Sequence, residues 1–76
     1  MKIESKKMGI QYRDTARFGH YDILIYGQYR GFVLHQQDQK WRFHKDGLET
    51  AKQDVFDTQD QLEQFLEETY MSSQLP

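Results

Sequence analysis

The chain has 76 residues, 37% of them hydrophobic and 29% charged, and a chain of this length buries only about 60% of its unfolded surface, which leaves room for one small domain and excludes a two-domain enzyme. Five glycines, one proline and 14% aromatic residues exclude a collagenous or proline-rich linker and supply more core-forming area than disordered chains carry. The formal charge of -2 is too near zero to name a polyanion or a membrane as partner.

There is no cysteine, which removes disulfides, thiolate nucleophiles and the strong zinc frameworks together. The longest apolar run, Ile23-Leu24-Ile25-Tyr26, is far short of the ~18 residues of a membrane span, and Met1 to Lys7 lacks the apolar stretch of a signal peptide. A soluble cytoplasmic domain spanning residues 1–76 is expected, with no cofactor and no metal, and with residues 1–8 and 72–76 as flexible ends.

Along the chain, Met8 to Tyr12 alternates weakly and predicts at most a short edge strand. Tyr21 to Tyr26 is rich in β-branched and aromatic residues and ends at Gly27-Gln28, a pair suited to a type II′ turn, so Tyr29 to Gln36 reads as the returning strand. A second hairpin turning at Gln37-Asp38 brings Gln39 to His44 back alongside. This register pairs Ile23 with Phe32, Tyr21 with Leu34, Leu34 with Trp41 and Phe32 with Phe43, and it gathers all seven of Tyr21, Ile23, Ile25, Phe32, Leu34, Trp41 and Phe43 on one face. Asp46-Gly47 marks a turn. Leu48 to Phe56 satisfies both a helical and a strand pattern and is read as a short strand ending at Phe56.

The apolar face needs a cover, because an isolated meander with one bare face is not stable. Asp57-Thr58 followed by Gln61 has the form of a capping box, and Leu62, Phe65, Leu66 and Thr69 recur at helical spacing to about residue 71. The fold class is therefore α+β: a three- or four-stranded antiparallel meander with one C-terminal amphipathic helix packed on one face.

The near-zero charge hides an asymmetry. Residues 1–45 carry a net +5 and residues 46–76 a net -7. On the helix, Asp60, Glu63 and Glu67 share a stripe with Asp57 and Glu68 on its flanks, and Gln64 beside them. Acids suit the first turn through the helix dipole, but Glu67 and Glu68 lie near the other end, where the dipole disfavours them. The row predicts a binding module, an inhibitor or adaptor, that docks a basic surface of a partner protein through Asp57, Asp60, Glu63, Gln64, Glu67 and Glu68. No enzyme activity is expected.

The alternative is a single-stranded nucleic-acid interface on the opposite sheet face, where the register displays Tyr26, Tyr29, Lys40, Arg42 and His44, rings for stacking bases and cations for phosphates. Lys6, Lys7, Arg13 and Arg17 would add phosphate contacts. Arg30-Gly31-Phe32-Val33 resembles a fragment of the RNP1 pattern, yet that module needs two helices where the chain offers one clear helix, and the register turns Phe32 into the core. A third reading sets His20, His35 and Lys40 in one row for acid-base chemistry on a phosphodiester. It lacks a concave pocket and any HxH or HExxH spacing. A monomer or a homodimer fits the chain, the dimer through Leu24, Tyr26, Tyr29 and Val33.

Overall fold

The computed structural model describes residues 4–47 and 53–71. Five strands, β1 (Ile10–Asp14), β2 (His20–Ile25), β3 (Gln28–His35), β4 (Trp41–Lys45) and β5 (Asp54–Phe56), form one antiparallel sheet in the order of the chain, followed by helix α1 (Gln59–Leu66) and a π-helical turn (Glu67–Met71). The α+β meander with its C-terminal helix is as expected, but it has five strands rather than three or four. The fifth is β1, which begins at Ile10, within the weak Met8–Tyr12 alternation, and runs to Asp14. The short strand ending at Phe56 is present. The expectations for residues 1–3, 48–52 and 72–76 lie outside the described residues.

The register departs from expectation on one strand. The β2–β3 turn is Tyr26-Gly27, both at positive φ (51° and 80°), so Ile25 faces Gln28 in a two-residue hairpin of the I′ kind. A bulge then inserts Arg30, and Ile23 pairs with Gly31 instead of Phe32. The β3–β4 connection also differs from expectation: it is five residues long, Gln36 to Lys40, which sets Trp41 opposite His35 and Phe43 opposite Val33. Since a one-residue slip turns over every side chain, β3 directs Val33 into the core and Phe32 and Leu34 to the other face, the reverse of the sequence-based register. Strands β2 and β4 keep the expected orientation.

The core is Ile10, Ile23, Ile25, Val33, Trp41, Phe43, Leu62 and Leu66, with Tyr12, Tyr21, Phe56, Phe65, Tyr70 and Met71 around it. Phe65 meets Phe43 and Phe56 at ring-centroid distances of 6.0 and 5.2 Å, which seats the helix on β4 and β5. On the opposite face Phe32 is also buried, between His20 at 4.5 Å and His44 at 4.6 Å.

The helix start is capped as its sequence specifies. Thr58 Oγ1 accepts the Gln61 N–H at 3.1 Å, and Gln61 Oε1 accepts the Asp57 N–H at 3.0 Å. Thr58→Ala is expected to cost about 1 kcal/mol in urea denaturation, the ordinary value of an N-cap.

Candidate functional site

The acidic row does not stand free. Glu63 is 1% exposed, which corrects the expectation that it lies on the outer stripe. Lys6 of the N-terminal segment and the Tyr12 side chain of β1 reach that side of the helix, and the Glu63 carboxylate accepts hydrogen bonds from the Tyr12 hydroxyl (2.7 Å), the Gln59 amide (2.9 Å) and the Lys6 N–H (3.2 Å). Gln59 also donates to the Glu4 carbonyl at 2.8 Å. The main chain of Glu4 and Lys6 is thus hydrogen-bonded to the helix. The Tyr12 phenol is pushed well above its ordinary value, first by burial and then by the Glu63 carboxylate beside it.

Three further acids face lysines of the basic half: Asp60 with Lys6 at 3.3 Å, Glu67 with Lys7 at 3.5 Å and Asp57 with Lys40 at 2.7 Å. These pairs are exposed and each contributes about 0–1 kcal/mol. Gln64 donates to Glu68 at 3.3 Å on the outer side of the helix.

Of the aromatic and basic set, Arg42 and His44 share the far face, opposite Leu34 and Phe32. Tyr26 sits at the apex of the β2–β3 turn against Gly9, and Tyr29 lies against Gly47. Lys40 is held by Asp57, and the Arg42 guanidinium makes a two-pronged contact with Asp38. His44 is 8% exposed, with its ring stacked on Phe32 at 12°. The dimer patch loses Val33, which is fully buried in the core. His20 and His35 lie on opposite faces, since His20 pairs with Leu34 and His35 with Trp41. No acid-base row forms between them, and no group of three metal-ligating side chains occurs among the described residues.

The Arg42 contact, reinforced by the Lys40 N–H at 3.2 Å, holds the Asp38 carboxyl down at about 2. Because the folded value lies below the unfolded one, this stabilisation is present above about pH 4 and fades as the pH falls toward 2. An NMR titration of the Asp38 carboxyl should show that low midpoint, and Arg42→Ala should return it to the ordinary carboxylate range.

What the fold does build is a cleft. With eight residues in α1, the helix covers the sheet only in part, and the core-side face is open where β2, β3 and β4 end beyond it. There a cleft of about 750 Å³ is lined by Tyr21, His35 and Trp41 from the strands, by Asp14, Thr15, Arg17, Phe18 and Gly19 from the β1–β2 hairpin, by Gln36, Gln37 and Gln39 from the β3–β4 loop, and by Glu4 and Gln59. His35 stacks on Trp41 at 3.7 Å and 15°, and Tyr12 approaches the same indole at 6.3 Å, so the Trp ring is fixed from both neighbours.

The rims are tied down as well. The His35 N–H donates to the Gly19 carbonyl (2.8 Å), Thr15 Oγ1 to the His20 carbonyl (2.7 Å), and the Gln39 N–H to the Gln36 carbonyl (2.8 Å). Phe18, by contrast, is 86% exposed at the tip of its hairpin. The cleft therefore offers rings below and amides at the rim, with Glu4 and Asp14 set against Arg17, and no surplus of cations. The sequence contains its signals, a phenylalanine between Arg17 and Gly19 and the run Gln36-Gln37-Asp38-Gln39, but a tip and a turn have no periodicity to mark them. Compared with protein-family models, with curated proteins and with solved structures, the chain matches none, so the chemistry of this cleft carries the functional argument by itself.

Proposed function

We propose that the chain is a non-enzymatic binding module whose recognition site is the cleft at the open end of the sheet. The observation that carries this reading is Phe18: a phenylalanine left 86% exposed on an ordered hairpin, beside Tyr21, His35 and Trp41. Burying such a side chain is worth about 1.5–3 kcal/mol, and a ligand that covers it collects that stabilisation. His35, the imidazole in the cleft, is stacked on Trp41 rather than hydrogen-bonded to a nucleophile or a carboxylate, and the cleft is open to water, so the chemistry on offer is contact rather than proton transfer.

A second reading keeps the acidic helix as the dock for a basic partner. It is favoured by the weakness of the pairs at Asp57, Asp60 and Glu67, which an incoming cation could exchange for Lys40, Lys6 and Lys7. The nucleic-acid reading has less support, with Lys40 and Arg42 already engaged and the cleft near charge balance. Capture of a partner from lysate, identified by mass spectrometry, separates these readings. Phe18→Ser should abolish capture with the fold unchanged, while Asp60→Lys with Glu68→Lys should leave it intact. The reverse pattern would transfer the site to the helix.

A further inference from the structure

We infer that the ligand of this cleft is an extended segment of a partner protein that adds to the sheet as a strand along β1 and delivers an uncharged aromatic or aliphatic side chain into the cleft. The inference rests on the cleft being the recognition site. Among the described residues β1 has one strand neighbour, β2. The direction of its main-chain groups follows from the register. The Tyr26 N–H donates to the Gly9 carbonyl at 2.8 Å, directly in line with the β1–β2 pairing. By the alternation of antiparallel ladders, Gln11 and Arg13 then exchange bonds with Leu24 and Asp22, while Ile10, Tyr12 and Asp14 turn their main chain outward. The Ile10 N–H agrees with this, for it bonds to the Lys7 carbonyl at 3.5 Å rather than to β2. Tyr12 and Asp14 therefore present peptide groups along the edge.

That edge has a hollow on each side. Asp14 lines the aromatic cleft, and it also lines a smaller concavity of about 290 Å³ formed with Gln11, Tyr12, Arg13 and Leu24. An added strand sends alternate side chains to opposite faces and needs room on both. A phosphate-bearing chain fits poorly, because Arg13 is bound to Asp22 at 2.9 Å and the cleft balances Arg17 with Glu4 and Asp14. A second copy of the chain fits poorly too. Its own β1 would bring Ile10, which is core, and Tyr12, which is bound to Glu63, and neither can reach across to fill the cleft.

The test is an NMR titration of the labelled protein with acetyl-Thr-Phe-Thr-Phe-Thr-amide. Shifts are expected at the Tyr12 and Asp14 amides and at the Trp41 indole N–H. Two versions of the peptide, N-methylated on opposite alternate sets of residues, should differ at least tenfold in affinity, because only one set of N–H groups faces β1. Equal affinities would overturn strand addition and leave the cleft as a reader of rings. A cleft that responds to maltohexaose but not to the peptide would overturn the ligand class alone. Silence of the Trp41 indole toward both probes would remove the cleft reading as well, and concentration-dependent self-association through β1 would assign the edge to a second copy.

Discussion

Glu63→Ala is expected to lower stability by about 3 kcal/mol, which for a domain of this size moves the thermal midpoint by roughly 15 °C. The carboxylate is the meeting point of three donors from three segments, Tyr12 on β1, Lys6 in the N-terminal segment and Gln59 one turn earlier on α1. Removing it leaves the half-buried Tyr12 hydroxyl without an acceptor and frees the Lys6 N–H, while Gln59 still holds the Glu4 carbonyl. Each buried group left unpaired costs about 1–3 kcal/mol, and Lys6 and Gln59 recover part of their loss by turning to water. Glu68→Ala, on the exposed side of the same helix, should change stability by no more than about 0.5 kcal/mol. The contrast decides between a structural and a display role for the acidic row.

The same pair sets an alkaline signature. The Tyr12 phenol is raised in the folded state, so its contribution is intact below about pH 10 and is lost as the pH rises above that and the unfolded phenol ionises. In Glu63→Ala the two contributions of the carboxylate vanish, and burial is left against the Gln59 hydrogen bond, which pulls the phenol down. Ultraviolet titration should then show the Tyr12 phenol ionising at lower pH than in the wild type.

The parts of this fold that were legible in the sequence are those with one strong pattern. The capping box at Thr58 and Gln61 and the spacing of Leu62, Phe65 and Leu66 have no competing reading, and the helix forms where they place it. Strand β4 alternates cleanly and β2 does so across Tyr21-Asp22-Ile23, so their inward residues were legible too. Strand β3 was not, because Gly31-Phe32-Val33-Leu34 is apolar at consecutive positions and a period of two cannot choose between its faces. Phe32 satisfies itself on the far face, stacked on His44 and packed against a tilted His20, a small second cluster that no one-sided pattern anticipates. The acidic stripe at Asp60, Glu63 and Glu67 was legible as a stripe but not as a surface. Helical spacing places side chains around an axis and says nothing of a segment 57 residues distant in sequence, such as Lys6, that comes to lie on them. The cleft at Phe18, His35 and Trp41 is non-local for the same reason.

Gly31→Ala is expected to be the second large effect, about 3 kcal/mol, and it tests how the face of β3 is chosen. Gly31 follows the bulged residue Arg30 and lies at φ 144°, where an L side chain is strained, and a Cβ there would collide with the His44 carbonyl oxygen and come within 3.1 Å of the Asp46 N–H. Both neighbours are main chain of β4 and its turn, so neither yields as a flexible side chain would. Asp46 is moreover fixed by its N–H bond to the Arg30 carbonyl at 2.9 Å. Gly27→Ala is the informative comparison. It shares a positive φ of 80° but has no atom within 4 Å of its added Cβ, so its cost should stay near the ~1 kcal/mol of backbone strain alone. The excess at Gly31 over Gly27 then measures the close approach of β3 to β4 that the bulge requires. If the two substitutions cost the same, the bulge is not what commits Val33 to the core. If Gly31→Ala also breaks the ring contacts of Phe32 with His20 and His44, seen as lost nuclear Overhauser effects, then the bulge at Arg30 and Gly31 is the device that directs Phe32 away from the helix and Val33 toward it.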